Sequence, residues 1–320
     1  MSELTLTEQL HQGIEAMLAK AESPPTDDPR IVALLGVAAE LRNLPRADFR
    51  TRLKNELERE ISMSTAKQSL AEPSHVDEES ATKVREALRT VTPYLTVPDV
   101  FAEIEFVTKA FGAMGQVYGL GSAGGYHSEY RIGGSMVMIG GGGGKSKWQG
   151  DPAPASLHLY VEDVDETYQR SIEAGGTSVM APMDMDYGER GAAIEDPGGN
   201  HWYLATADGP NYIPEGLPNL MPFFNPVGAP KLIQFLKEAF AAEEVAVYQS
   251  PDGIIHHAKI RIGDSIVETG EAHGPWQPRP MAFFLSIDDC DAWYARAVKA
   301  GGAASVSEPA DQPYGRTATV

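Results

Sequence analysis

The stretch HLYVEDVDETYQRSIEAGG at 158–176 comes back as FLSIDDCDAWYARAVKAGG at 284–302, and an internal echo of this length means that one unit was duplicated. HSEYRIGGSMVM (127–138) returns as HAKIRIGDSIVE (257–268). More loosely, PYLTVPDVFAEIEFVTKAFGA (93–113) returns as PFFNPVGAPKLIQFLKEAFAA (222–242). Residues 91–207 and 218–320 therefore read as two copies of one domain. Within a copy, a short strand ending in Asp (YLTVPD or LYVED) enters a helix that Asp99 or Asp163 can cap, and the later helix closes on Gly175. Two or three short strands follow, separated by glycine turns. Each unit is thus βαβββ, and two units make a domain of ordinary size. The expected fold class is α+β, tandem βαβββ modules preceded by a small all-helical region.

That region spans residues 1–61. Leu6, Leu10, Ile14 and Leu18, then Ile31, Leu34, Leu35, Ala38 and Leu41, then Phe49, Leu53, Leu57 and Ile61 fall at helical spacing and predict three short amphipathic helices. Each has an apolar stripe and little chain to bury it, so the helices are expected to pack on themselves, on the repeats or on a protein partner. Residues 62–90 turn to Ser, Ala, Glu and Lys, the composition of a solvated linker.

Lys and Arg number 26 against 45 Asp and Glu, a net charge of −19 that argues against nucleic acid and against anionic membrane surfaces as partners. The single cysteine, Cys290, rules out an internal disulfide framework and a Cys-rich metal site; it corresponds to Val164 in the repeat and reads as a small buried residue. With no apolar run near membrane-span length and no basic-then-apolar start, the expected location is the cytoplasm. The GGGG of 141–144 before Lys145 lacks the spacing and the following helix of a phosphate loop and reads as a turn between units.

Together TVTPYLTVPD, HSEYRIGGSMVMIG, SLHLYVEDVDETYQRSIEAGG and YGERGAAIEDPGGNHWYLAT resemble the vicinal oxygen chelate superfamily, the fold of glyoxalase I, bleomycin-resistance proteins and extradiol dioxygenases, and most resemble its PhnB-like branch. The resemblance covers residues 91–320 and implies a cleft in each copy, on the side of the sheet away from the helices. One scaffold hosts isomerases, lyases, dioxygenases and binding proteins, so function must come from the lining.

Strand alternation supplies that lining. Leu95 and Val97, Val137 and Ile139, and Leu157, Leu159 and Val161 form the apolar, helix-facing set. The other parity of the first copy gives Thr92, Tyr94 and Thr96; His127, Glu129 and Arg131; Met136 and Met138; Ser156, His158 and Tyr160; and His201 and Tyr203, expected to line one cleft. In the second copy it gives Met221, Phe223, Asn225, His257, Lys259, Arg261, Ile266, Glu268, Ala282, Phe284 and Ser286, a greasier wall. The resemblance implies four metal-ligand positions per cleft. Here they carry Thr92, Met138, Ser156 and Tyr203 in the first copy, none a usual ligand, and Met221, Glu268 and Ala282 in the second. Glu268 is read as an exposed acidic strand end.

The leading expectation is a small-molecule-binding protein that needs no metal and no cofactor. If it is catalytic, His158 is the acid or base, with Tyr94 and Tyr160 orienting the substrate. Thr92, His127, Glu129, Arg131, Met138, Ser156, His201 and Tyr203 are the expected ligand contacts. The first alternative is a metal-dependent glyoxalase-like isomerase, lyase or dioxygenase, its divalent ion held by His127, His158, His201 or Glu268. The second is a protein-interaction or regulatory role carried by the N-terminal helices; a homodimer is the other partner considered. Arg190 and Arg316 occupy matching strand-entry loops and read as anion contacts at the cleft lip or as solvated charges. The second copy stops before a counterpart of Asp196–Leu204, so its last strand is expected to be missing; the chain is a fragment, or helices or another subunit cover that edge.

Overall fold

The computed structural model describes residues 86–120, 124–209, 211–274, 276–303, 307–312 and 314–320, all within a compact unit running from Pro73 to Val320. The three expected helices of residues 1–61, and the linker up to residue 85, lie outside the described residues. Four units follow in chain order. The first is β1 (Val91–Val97), α1 (Val100–Phe111), β2 (Met114–Leu120), β3 (Tyr126–Ile132) and β4 (Ser135–Gly141). The second is β5 (Ser156–Tyr160), α2 (Val164–Glu173), β6 (Thr177–Met185), β7 (Glu189–Glu195) and β8 (His201–Ala207). The third is β9 (Leu220–Phe224), α3 (Ala229–Phe240), β10 (Glu243–Gln249), β11 (Ile255–Ile262) and β12 (Ser265–Thr269). The fourth is β13 (Ala282–Leu285), α4 (Cys290–Lys299), β14 (Ser307–Gln312) and β15 (Gly315–Thr319).

Local chemistry sets the helix ends. Asp99 accepts from the Phe101 and Ala102 amides, Asp163 from Glu166 and Asp289 from Ala292, so three helices start on an aspartate cap. Helix α3 starts on Gly228 without a cap of its own. Glu271 serves instead, its carboxylate accepting from the Gly228 amide at 2.6 Å and the Ala229 amide at 2.8 Å. The same position at the other end also differs between copies: α1 closes on Gly112 at φ 66° and α3 on Ala241 at φ 54°, a left-handed backbone that a Cβ opposes. The glycines of 141–144 fold back on the β1–α1 junction, with the Val100 amide donating to the Gly142 carbonyl and the Gly142 amide to Val97.

Strand parity behaves as alternation demands. Leu95, Val97, Val137, Ile139, Leu157 and Leu159 are all 0% exposed, and only Val161, just past β5, is half-buried. Aromatic side chains bind helices to strands on this side. Phe111 of α1 meets Phe106 and Trp202, while Phe240 of α3 meets Phe235, Phe283 and Trp293. Burial of such rings and aliphatics, at roughly 1.5–3 kcal/mol each, fixes which face is inside.

Strand pairing between units departs from the expectation that residues 91–207 share one cleft. Strand β1 pairs antiparallel with β13, and β5 pairs antiparallel with β9. One sheet therefore runs β13-β1-β4-β3-β2 and the other β10-β11-β12-β9-β5-β8-β7-β6. The first sheet joins units one and four, the second units two and three. Periodicity reports which face of a strand is apolar and carries no information on which first strand becomes its neighbour. Polar clasps at the crossings are matched: Asn219, just before β9, accepts from Ser135 Oγ at 2.9 Å and donates to the Ile132 carbonyl at 3.0 Å. Just before and at the start of β1, the Thr90 amide donates to Asp264 and the Val91 amide to Ser265 Oγ. In the second unit β8 lies between β5 and β7; among the described residues β14 and β15 pair only with each other.

Candidate functional site

On the helix-free face of the second sheet, His158 at the centre of β5 reaches across β9 to Glu268 on β12, with Nδ1 and Oε2 2.6 Å apart. Glu268 is 0% exposed, which corrects the reading of it as an exposed strand end. Its strand, β12, lies inside an eight-stranded sheet, between β11 and β9, and that interior position is what removes it from water. The other oxygen, Oε1, faces His257 Nε2 at 3.6 Å and Lys259 Nζ at 3.7 Å, both on β11, and accepts no hydrogen bond at those distances.

The pair shifts both groups. For His158 burial pulls the pKa down, but the Glu268 charge and hydrogen bond outweigh it and Glu189 adds to them, so the imidazole is held above its ordinary value. For Glu268 burial pushes up and is overcome by His158 and then His257, leaving the carboxyl well below the usual range. Glu268 thus fixes the Nδ1–H tautomer or the imidazolium, and leaves Nε2 as the nitrogen that can give or take a proton from a bound molecule.

Around the pair stand rings. Tyr160 lies 4.5 Å from His158 between centroids, and its hydroxyl donates to Glu189 at 2.7 Å; burial and that carboxylate push the phenol far up. Tyr203 packs on Phe223 at 4.9 Å and Trp276 at 5.2 Å, and its hydroxyl donates to Asn225. Burial pushes its phenol to about 12, partly offset by Ser156. Tyr203 is a neutral phenol in an aromatic wall.

The expected site residues therefore divide. Ser156, His158, Tyr160, His201 and Tyr203 lie on the second sheet. Thr92, Tyr94, His127, Glu129, Arg131 and Met138 lie on the first, so Tyr94 is not a neighbour of His158 and the expected trio does not assemble. Tyr94 bonds His127 Nδ1 at 3.2 Å instead, and Tyr118 donates to Glu129 at 2.8 Å. Arg131 turns to the Gly133 carbonyl. His201 shares the parity of Tyr203 but its Nε2 accepts from Arg279 at 2.6 Å, and Arg279 also donates to Glu195 at 3.0 Å; burial first, then Arg279, lowers the His201 pKa and favours the neutral acceptor.

Trp276, Glu189, Glu195, Arg279 and Tyr118 escaped the sequence reading. Trp276 and Arg279 sit in HGPWQPRP, where no periodicity assigns a face; Glu189 and Glu195 end β7, a strand left out of the parity argument. Arg190 and Arg316 are solvent-exposed and engaged by carboxylates: Arg190 pairs with Asp165 and Asp184, and Arg316 with Asp291 and Asp311. Cys290 is half-buried at the start of α4 rather than fully buried, and burial and Asp291 raise its thiol.

Regrouped by the actual pairing, the four ligand positions of the second sheet carry Ser156, Tyr203, Met221 and Glu268. They offer one carboxylate, and that carboxylate already faces the His158 imidazole at 2.6 Å and the Lys259 ammonium at 3.7 Å. Among the described residues no group of three or more His, Cys, Asp or Glu side chains is arranged to hold a metal.

The described fold and its faces can be set beside known proteins. The family model described as Glyoxalase/Bleomycin resistance protein/Dioxygenase superfamily matches residues 87–204. An uncharacterized protein of Mycobacterium bovis is 37% identical over 123 residues, which is 36% of this chain and 80% of that protein. The anthracycline biosynthesis protein DnrV of Streptomyces peucetius is 28% identical over 241 residues, 69% of this chain and 84% of that one. Glyoxalase I from Zea mays superposes with a TM-score of 0.51 at 17% identity, over 70% of this chain and 84% of that chain, a likeness of fold. The chain belongs to the glyoxalase/bleomycin resistance/dioxygenase superfamily.

Proposed function

We propose that the protein binds a small aromatic molecule on the helix-free face of the second sheet, without a metal, and that His158 held by Glu268 is its acid or base. The observation that carries this reading is the 2.6 Å contact between His158 Nδ1 and a Glu268 carboxylate with no solvent exposure. An imidazole oriented by a buried anion is the usual device for moving a proton at near-neutral pH. Tyr203, Phe223 and Trp276 supply faces on which a planar ligand stacks, and Lys259 and His257 favour an acidic hydroxyl or an anion on it. The name of the Streptomyces peucetius relative, an anthracycline biosynthesis protein, directs attention to planar polyketides as one class to try. Placement in the PhnB-like branch and in the cytoplasm belongs to the same reading.

The test is a thermal-shift screen of the full chain against metabolites and polycyclic antibiotics, with and without a chelator, followed by titration of the best hit into His158→Gln. Mass action makes any ligand selective for the folded state visible as a raised Tm. The expected result is a chelator-insensitive hit that weakens at least about ten-fold in the variant, the loss of one charge-assisted contact. Undiminished binding and turnover in His158→Gln removes the acid–base assignment. A hit that disappears with the chelator and returns with nickel, zinc or iron transfers the protein to the metal-dependent isomerases or dioxygenases.

A further inference from the structure

The helix-free face of the first sheet contains a cluster that the His158 site does not use. Tyr94, His127 and Tyr118 form a row of rings, with centroids 5.8 Å and 5.9 Å apart and planes within 20° and 28° of parallel. Tyr94 can lie flat because Gly140 is beneath it: a Cβ there would come within 2.2 Å of the Tyr94 hydroxyl. Glu129, 7% exposed, puts its carboxylate into the row, 2.8 Å from Tyr118 Oη and 3.7 Å from His127 Nε2. Thr92, 1% exposed and of the same parity as Tyr94, holds a hydroxyl that meets no hydrogen-bond partner among the described residues. Met136 and Met138 give the apolar floor.

We infer that this face is a second ligand site, one that takes an organic cation: an amine or quaternary ammonium on an aromatic or alkyl body. A carboxylate flanked by ring faces favours a positive charge twice, through the charge itself and through the negative faces of the rings. The methionines adapt to the apolar body, and Thr92 is an acceptor for an N–H. The site is independent of the His158 face, which has Lys259 where this one has Glu129 and Glu268 where this one has Met138.

The experiment is isothermal titration of the full chain with phenethylammonium, and with phenylacetate as its anionic counterpart. Saturable binding of the amine is expected, with phenylacetate at least about ten-fold weaker at this face. Glu129→Gln, which keeps the size and still accepts from Tyr118, is expected to weaken the amine by about ten-fold or more, whereas His158→Gln leaves it unchanged. Tyr118→Phe removes a proton donor that competes for the carboxylate and is expected to tighten amine binding several-fold, a readout that serves if Glu129→Gln fails to fold. Absence of saturable amine binding, equal binding of amine and acid, or an unchanged affinity in Glu129→Gln or Tyr118→Phe overturns the proposal.

Discussion

The helix-free faces of the two sheets carry matching rows of rings and different charges. Tyr94, His127 and Tyr118 on the first sheet recur on the second as Phe223, His257 and Tyr248, with His257 6.0 Å from Phe223 and 6.3 Å from Tyr248. On the paired strands between them, Glu129 stands opposite Met138 in the first sheet and Lys259 opposite Glu268 in the second. The row of rings is shared by the first and third units. The two ionisable positions are free to vary, and they decide what each face attracts.

The largest way to break that contrast is to give the second sheet the first sheet's residue. Glu268→Met leaves a buried imidazolium without its counter-charge and is expected to cost about 3 kcal/mol at pH 6 in urea denaturation. The cost should shrink at pH 8, because His158 can shed its proton. The signs follow from the shifts. The raised His158 contributes stability fully below its unfolded value of 6.5 and loses it as pH rises through the folded value; the depressed Glu268 contributes above 4.5 and loses it as pH falls. The pair is therefore strongest between about pH 4.5 and 6.5. An equal cost at both pH values would dismiss the charge pairing.

A second contrast lies on the helix side. Glu103 of α1 is buried beside Asp196, where α3 has Leu232. Burial, then the neighbouring Asp196 charge, pushes the Glu103 carboxyl well above 4.5, so its contribution is complete below that pH and is lost as pH rises through the folded value. Glu103→Gln should gain about 1–2 kcal/mol at pH 8 and little at pH 4, measured as a denaturation midpoint. Next in size are the helix ends: Ala241→Gly should stabilise by about 1 kcal/mol and Gly112→Ala should cost a similar amount, since both positions are left-handed. Equal effects in one direction would mean that neighbours, not backbone, set the difference. The smallest effect is expected at Arg190→Gln and Arg316→Gln, whose ion pairs are solvent-exposed; neither should move a Tm measurably.

Much of this was legible in the amino acids. Leu95, Ile139 and Leu159 announced their face by alternation, Asp99 and Asp163 announced their helices, and the same alternation put His158 and Tyr203 on one wall. What stayed hidden is pairwise and non-local. Glu268 comes from 110 residues away to meet His158, and that meeting depends on β5 choosing β9 over β1. First strands of similar sequence offer similar edges, so no single-chain pattern distinguishes the choices. Trp276 was hidden for another reason: a proline-rich loop has no period to read.

The crossing of sheets between repeats has an evolutionary reach. Each wall is co-owned, half by one repeat and half by the other, so a change in either repeat alters a wall that the other repeat also builds. Specialisation of one wall cannot proceed by leaving one repeat untouched as a spare. A laboratory that cut the chain between Ala207 and Leu220 would hold two halves of two walls and a whole of neither.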